Sequence, residues 1–178
     1  QSNDVASEIS VPDGAEKFEF ILSNLIIEGV SAYAPEKFEY LYKALLGKTI
    51  TVSKVYEIAN LITKKYHKDG YIFSRALIPE QEIEDGTVRI SVIEGYVENV
   101  HVQNEVSESF LTDGIIEAVK KSHPLNIRDL ERAMLLMDRL PGQEAQAVLE
   151  PIKQNAANPG AIDLNVIIRK MGPQFAAS

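Results

Sequence analysis

The stretch GYIFSRALIPEQEIEDGTVRISVIEGYVENV, from Gly70 to Val100, decides the fold of this chain. Two apolar runs, residues 71–78 and 87–94, read as strands on either side of an Asp-Gly turn signal. From Val88 to Val92 the second run alternates between apolar and polar positions, which is typical of a strand with one buried face. Its apolar members are Val88, Ile90 and Val92.

Pro79 follows directly after the first of these runs. A proline has no backbone N–H to donate, so it is confined to edge strands or strand ends. We therefore expect residues 71–78 to form an edge strand whose pairing stops at Pro79. Pro151 occupies the corresponding region later in the chain, and a proline there also limits edge-to-edge association between molecules.

The residues before this stretch predict one strand and two helices. The run 18–30 suits a strand with an irregularity near Ser23-Asn24. A first helix is expected over 35–46, with Pro35 in its first turn and a glycine after it. A second helix is expected over 52–68, capped by Thr51 or Ser53.

The order strand, helix, helix, strand, strand then occurs a second time. The predicted elements are a strand over 96–103, helices over 109–122 and 124–140, and strands over 144–154 and 161–170. Asn126 is the expected cap of the second of these helices, with Asp129 at the third position of a capping box.

The two halves align with each other. Residues 49–62 match residues 124–137 in their apolar pattern, and the last strands match one residue further on, so one loop gained a residue. The alternative is that two amphipathic helices resemble each other by chance. The repeat predicts two modules, 17–95 and 96–171, between a flexible N-terminal linker, 1–16, and a tail, 172–178, with Gly95 alone as their link.

Composition excludes several classes of function. The net charge of −8 disfavours binding to nucleic acid, whose phosphates require a basic surface. The chain has no cysteine, which excludes disulfides and thiolate metal sites, and its three histidines share no ligand spacing. No run of about 18 apolar residues is long enough to cross a membrane as a helix.

No catalytic motif is present in the sequence: it lacks a nucleophile elbow, a phosphate-binding loop and a His-Glu-x-x-His pattern. The acidic residues between 80 and 85 lack the spacing of a calcium loop and read as a solvated loop. We therefore expect no enzymatic activity, no cofactor, no metal and no small-molecule ligand.

The stretch 70–100 resembles the POTRA segment of two-partner secretion transporters, the haemolysin secretion and activation family. The resemblance covers about residues 18–170 and is strongest in the first module; the second module lacks the Gly-Tyr and Pro-Glu-Gln pieces. The matching pieces are Gly70-Tyr71, Ser74-Arg75-Ala76, Pro79-Glu80-Gln81, Gly86, Val88, Ile90, Val92 and Glu94-Gly95.

This resemblance implies an α+β fold of two tandem POTRA modules, each β-α-α-β-β, with a three-stranded mixed sheet packed on two helices. It also implies a place on the periplasmic side of the bacterial outer membrane. The implied partners are a secreted exoprotein in extended form and an outer-membrane β-barrel outside this chain. The alternative is a POTRA scaffold of an outer-membrane protein assembly machine, or another protein-interaction module.

The strand 71–78 is the predicted polypeptide-binding site. Its small residues, Ser74 and Ala76, suit the face that a helix covers, which leaves Phe73 and Leu77 on the open face. These two residues either pack against a loop or the other module, or they flank an edge where an extended substrate adds as a strand. The candidate substrate-binding residues are Tyr71, Phe73, Arg75, Leu77, Pro79 and Gln81.

Overall fold

The structure is a computed structural model that describes residues 7–104, 110–152 and 157–171. Its contacts divide the chain into two compact units, residues 1–94 and residues 95–178. The α+β fold expected from the sequence is confirmed: each unit has a three-stranded mixed sheet with helices on one face. The predicted link, Gly95, is the first residue of the second unit.

The first unit is built on a sheet of order β2-β5-β4 and one long helix. Its strands are β1 (Glu19–Ile21), β2 (Asn24–Glu28), β3 (Thr49–Thr51), β4 (Arg75–Leu77) and β5 (Thr87–Ile93). The helix α1 (Val52–Lys68) follows β3 directly, and Thr51 Oγ1 caps it by accepting from the Lys54 N–H. Strand β2 runs parallel to the central strand β5, and β4 runs antiparallel to it.

The core of the first unit lies between α1 and the sheet. Apolar residues recur at helical spacing on α1, so one face of the helix is buried against the alternating strand β5. The predicted burial of Val88, Ile90 and Val92 is confirmed, since each is at most 4% exposed. The predicted irregularity in the first strand is also confirmed: the chain breaks pairing at Leu22–Ser23 and continues in another sheet.

Two expectations for the first unit were wrong in detail. The segment 35–46 forms 3-10 helices, Pro35–Leu41 and Lys43–Leu45, because Tyr42 leaves helical geometry with φ −132°. The strand expected over 71–78 has only three residues, 75–77. It is shortened because Gly70 and Tyr71 still bond back to the carbonyls of His67 and Tyr66 at the end of α1.

Close backbone approaches explain two glycines of the first unit. Gly86 has φ 72° in the turn before β5, where a Cβ would lie 2.0 Å from the Ile21 carbonyl oxygen. Gly29 has φ 81°, and a Cβ there would lie 2.2 Å from the Val92 carbonyl oxygen. Both positions require glycine because a side chain would collide with backbone and adopt a disfavoured conformation.

The second unit has the sheet order β6-β8-β7 and two helices. Its elements are β6 (Tyr96–Asn104), α2 (Phe110–Lys121), α3 (Ile127–Asp138), β7 (Gln143–Pro151) and β8 (Ala161–Lys170). Strand β8 is central, parallel to β6 and antiparallel to β7. The side chains that β8 buries include Leu164, Val166 and Ile168, the predicted counterparts of the buried residues of β5.

The N-terminus of α3 is capped as expected, but by a different set of bonds. Asn126 Oδ1 accepts from the Arg128 N–H, which confirms Asn126 as the cap. The reciprocal bond of a capping box is replaced: the Asn126 N–H donates to Ser122 Oγ, and that hydroxyl donates to Asp129. Ser122 is therefore inserted between the two ends of the predicted capping box.

Candidate polypeptide-binding edges

The six predicted site residues lie along one border of the first unit, but only two are in a strand. Arg75 and Leu77 belong to β4 and point to the face opposite α1, where both are partly exposed. Phe73 lies in the turn before β4, half-buried. Pro79 is exposed and Gln81 is half-buried in the segment after β4.

Tyr71 belongs to the core side of the unit. Its ring makes edge contacts with Tyr33 and Tyr66, with centroids 6.1 Å and 5.8 Å away. Such edge-to-face pairs are favourable for aromatic rings. The ring of Tyr71 therefore helps to close the end of the core beside the C-terminus of α1.

The outer edge of β4 is covered by side chains of α1. The Ala76 N–H, which faces away from β5, donates to Thr63 Oγ1 at 2.9 Å. His67 Nε2 lies 3.0 Å from the Ser74 carbonyl oxygen and donates to it in the Nε2-protonated tautomer. Two backbone groups that a further strand would use are thus already paired inside the unit.

Beyond β4, a side chain takes the place of a strand. Ser91 is the last β5 residue that pairs with β4, opposite Leu77. Two residues earlier, the Arg89 N–H donates to Gln81 Oε1 at 2.8 Å, and Gln81 Nε2 donates to the Arg89 carbonyl oxygen at 2.8 Å. A carboxamide has the donor and acceptor of a peptide group, so Gln81 reproduces the pairing that Pro79 could not make.

The open face of the first sheet is mixed in character. Ile26, Leu77 and Ile93 are partly buried on it, so the face is not fully solvated. The Arg89 guanidinium lies 2.6 Å from Glu28 Oε1, and both side chains are about half exposed. This face offers apolar contacts together with charged groups that remain accessible.

A groove of about 430 Å³ separates the N-terminal half of α1 from the segment after β4. Pro79, Glu80 and Gln81 line one side of it, and the side chains of α1 line the other. The remaining lining residues are Val52, Val55, Tyr56, Ile78, Ile83 and Val88. The Pro-Glu-Gln segment is thus held over the helix as well as against β5.

Glu94 ties the last strand of the first unit to two other segments. Its carboxylate accepts hydrogen bonds from Ser31, from the Ala32 N–H and from the Tyr66 hydroxyl, the last at 2.6 Å. Burial alone would raise the pKa of Glu94, but these hydrogen bonds outweigh it and lower the pKa. Burial, assisted by the Glu94 bond, raises the pKa of Tyr66. Glu94 therefore stays ionised, and its carboxylate acts as a staple that holds these segments together.

The edge of the second unit is longer. Strand β7 pairs with β8 over nine residues, and most of its residues alternate between exposed and half-buried. The Ala145 N–H donates to Asp138 Oδ1 of α3 at 2.9 Å, so odd-numbered residues of β7 direct their backbone groups away from β8. Among the described residues, no other group bonds to the outward backbone of Ala147 or Leu149.

The outer face of the second sheet is polar. Its exposed positions on β7 are Glu144, Gln146, Val148 and Glu150. They alternate with Ala145, Ala147 and Leu149, which face the helices. This alternation fits a sheet with one face covered by helices and the other face in solvent.

Pro151 pointed to an edge strand in the second half, but the sequence did not single it out as a binding site and did not predict the helix side chains that cover the first edge. Thr63 lies on the buried face of α1 between Ile62 and Tyr66, where a hydroxyl needs a partner. In the alignment of the two halves, which places residue 49 opposite residue 124, Thr63 falls opposite Asp138. Both side chains accept from an outward N–H of the neighbouring edge strand, Ala76 in β4 and Ala145 in β7. The shared position of Thr63 and Asp138 in this alignment was the sequence signal that could have identified these contacts.

The described ranges contain neither a metal cluster nor a membrane-spanning helix. Over 7–104, 110–152 and 157–171, no group of three or more His, Asp or Glu side chains is arranged to hold a metal ion. Within the same ranges, no helix is both long and apolar enough for a membrane span.

A family model described as "POTRA domain, ShlB-type" matches residues 20–95, which run from β1 to the residue after the Glu94 staple. Residues 20–95 are thus similar to a ShlB-type POTRA domain. The resemblance found in the sequence is thereby confirmed for the first unit, including the Pro-Glu-Gln segment and the edge strand β4.

Curated relatives extend the match into the second unit. The heme/hemopexin transporter protein HuxB of Haemophilus influenzae is 30% identical over 112 residues, 62% of this chain and 20% of its own length. The outer membrane transporter CdiB of Dickeya dadantii is 26% identical over 61% of this chain and 19% of its own length. The matched part thus spans about a fifth of these relatives, which are named as transporters.

Solved structures share the fold of the whole chain. CdiB from Escherichia coli matches with a TM-score of 0.72 and 20% identity, over 96% of this chain and 30% of that one. The N-terminal domain of Omp85 from Thermosynechococcus elongatus matches with a TM-score of 0.71 and 20% identity, over 86% and 67%. The CdiB relative of Dickeya dadantii is named an outer membrane transporter, and a solved Omp85 structure from Anabaena is described as a periplasmic domain.

Proposed function

We propose that this chain is the periplasmic substrate-recognition region of a two-partner secretion transporter. It binds a secreted polypeptide in extended form and delivers it to the pore of an outer-membrane barrel. The observation that carries the proposal is the nine-residue edge of β7, whose outward backbone at Ala147 and Leu149 has no partner among the described residues.

Strand addition suits this task on chemical grounds. Backbone groups are the same in every polypeptide, so an edge strand pairs with any extended segment, and alternate side chains then modulate the affinity. An unfolded secreted chain exposes such segments, whereas a folded protein has already paired them. A transporter of unfolded polypeptide therefore gains more from a backbone edge than from a shaped pocket.

The residues predicted from the sequence are proposed as side-chain contacts for the same polypeptide. Phe73, Arg75 and Leu77 are half-buried, and the two strand residues point to the open face of the first sheet, where an apolar or acidic side chain of the substrate would pack. Tyr71 supports that border from the core side. Pro79 and Gln81 bound the site at its far end.

The alternative function is a scaffold role in an outer-membrane protein assembly machine. It is supported by the likeness to the Omp85 domain, whose TM-score of 0.71 is close to the 0.72 of CdiB. A fold shared at 20% identity does not separate the two functions. The ShlB-type match of residues 20–95 and the transporter relatives favour secretion.

The test uses the backbone of β7. Because the N–H of Ala147 faces away from β8, Ala147→Pro removes one outward donor and leaves the ladder to β8 in place. The probe is a dodecapeptide of alternating valine and threonine with lysine at both ends. We expect Ala147→Pro to weaken its binding at least about tenfold, with little change in the thermal midpoint, because one exposed pairing bond is lost.

Ala147→Ser is the matched control, because it changes the side chain and keeps the N–H. A second control leaves the protein intact and uses two peptides, each N-methylated at alternate residues along one of its two edges. Equal binding of all variants and of both methylated peptides would overturn strand addition at β7. Strand addition at β7 is supported if the peptide no longer binds Ala147→Pro and if one of the two methylated peptides no longer binds the wild type.

A further inference from the structure

The first unit keeps its sheet edge closed by three side chains that reach backbone groups. Thr63 accepts from the Ala76 N–H at 2.9 Å, and His67 bonds to the Ser74 carbonyl at 3.0 Å. Gln81 bonds to both backbone groups of Arg89 at 2.8 Å. Thr63 and His67 thus pair with backbone groups at β4, and Gln81 pairs with backbone groups of β5 beyond the end of β4.

The two bonds from Gln81 are more than is needed to satisfy buried groups, whereas Thr63 and Ala76 are both fully buried and the bond between them does satisfy such groups. The Arg89 side chain is about half exposed, so water could reach this border, and a solvated N–H has no need of a protein partner. Gln81 nevertheless holds both groups in the bidentate pattern of an antiparallel pair. Its carboxamide nitrogen also lies 3.3 Å from the Pro79 carbonyl oxygen, which fixes the segment after β4 over β5.

We propose that Thr63 and Gln81 determine which of two corresponding edges takes a polypeptide: they close the β4 edge of the first unit, so that strand addition occurs at the β7 edge of the second. This inference rests on the proposed function. The two edges differ in how many of their outward backbone groups already have a hydrogen-bond partner. At β7, Asp138 takes only the Ala145 N–H, and the outward backbone continues past Ala147 and Leu149.

The position of Thr63 supports a role in closure. It lies opposite Asp138 in the aligned halves, so both units place a side-chain acceptor of the corresponding helix against an outward N–H of the edge strand. In the second unit the edge then runs on to Pro151. In the first, β4 ends one residue after Ala76, and Gln81 covers the backbone of β5 beyond that end.

The test opens the edge by substitution. Thr63→Val is nearly isosteric and removes the acceptor, and Gln81→Ala removes the carboxamide; they are studied singly and together in the full chain. Glu82→Ala, an exposed change in the same segment, is the matched control. Amide hydrogen exchange of Ala76 and Arg89 is measured first without peptide, and we expect it to accelerate about tenfold in the corresponding variants.

The valine-threonine dodecapeptide with lysine ends is then added. In the wild type we expect new amide protection only in residues 145–151. In the double variant we expect protection also at residues 75–77 and 89, with the stoichiometry rising from one peptide to two. If the double variant does not fold, Gln81→Ala alone still reports amide protection at residue 89, because it alters no buried side chain.

The outcomes separate the two proposals. If the wild type protects β7 and the variants gain nothing at 75–77 or 89, the closure role is overturned and the proposed function stands. If the wild type protects no residue, strand addition at β7 fails, and gain of protection in the variants still decides the closure role. Protection at 75–77 in the wild type would also overturn it, since the edge would then be open without substitution.

Discussion

The edges β4 and β7 occupy the same place in two similar sheets, yet they offer different surfaces. Strand β4 has three residues, and its neighbours Thr63, His67 and Gln81 take up the nearby backbone. Strand β7 has nine residues and one such contact among the described residues, from Asp138. One fold therefore supports either a closed or an open edge, and a few polar side chains around the strand decide which.

The largest expected effect tests whether the two units are independent. Ile90 is fully buried on β5 and Val166 is 1% exposed on β8. Because a buried unpaired charge is costly, Ile90→Asp and Val166→Asp should each destabilise their own unit by about 3 kcal/mol or more. Hydrogen exchange resolved by residue should show loss of protection in one unit only.

Loss of protection in both units from either substitution would break the comparison, since the two edges would then belong to one cooperative core. Ile90→Val is the matched control. It keeps the site apolar and should cost only about 1 kcal/mol in the first unit.

The next largest effect compares the packing behind the two edges. Ala76 is fully buried between β4 and α1, so Ala76→Leu should destabilise the first unit by about 1–3 kcal/mol through overpacking. Val148 is 38% exposed on β7, so Val148→Leu should change stability by less than about 0.5 kcal/mol. Denaturant unfolding measures the stability of both variants. Similar losses of stability would contradict the view that β4 is covered more completely than β7.

A smaller effect is expected on the stability of the first unit at low pH. Glu94 has a lowered pKa in the folded first unit, so its stabilisation is present above the unfolded pKa near 4.5 and is lost as pH falls through the folded value. Glu94→Gln should cost about 1–2 kcal/mol at pH 7. It should also flatten the acid loss of stability in the first unit.

Unfolding of the two units followed from pH 7 down to pH 2 checks this prediction. Glu80→Gln is the control, because Glu80 is exposed in the same unit. An unchanged acid profile in Glu94→Gln would show that the staple contributes nothing measurable to the first unit.

The smallest effect on stability is expected at Phe73. Its side chain is half-buried in the turn before β4, so Phe73→Asp should lower the unfolding free energy by about 1 kcal/mol through lost apolar contact. If the open face contacts the substrate, the same change should weaken binding of an exoprotein N-terminal fragment about fivefold, roughly 1 kcal/mol. Phe73→Leu keeps an apolar contact and should bind almost normally.

Unchanged fragment binding by Phe73→Asp would confine recognition to the second unit. Unfolding of the first unit by the same change would instead place Phe73 in the core. Isothermal titration together with the thermal midpoint distinguishes these two outcomes.

The parts of the fold that could be predicted are those with a local period. The alternation in β5 and the helical spacing in α1 and α3 fix which side chains face the core, whatever lies around them. The break at Leu22–Ser23 was visible for the same reason, since alternation stops there.

The parts that could not be predicted depend on contacts between distant residues. The length of β4 is set by the backbone bonds that keep Gly70 and Tyr71 on the end of α1. The pairing of Gln81 with Arg89 spans the turn and leaves no pattern in the sequence. Strand β7 was predicted over 144–154 and runs over Gln143–Pro151, although this interval contains few β-branched residues; residues 153 and 154 lie outside the described residues.

The tyrosines give the molecule a built-in optical reporter. The chain has seven tyrosines and no tryptophan, and Tyr96 is the one tyrosine that follows Glu94. Tyr33 and Tyr66 pack ring to ring at 4.9 Å, and the Tyr66 hydroxyl donates to Glu94. Ultraviolet absorbance near the tyrosine band therefore reports almost entirely on the first unit. Unfolding of that unit is visible without a dye or an added label, while the second unit stays nearly silent.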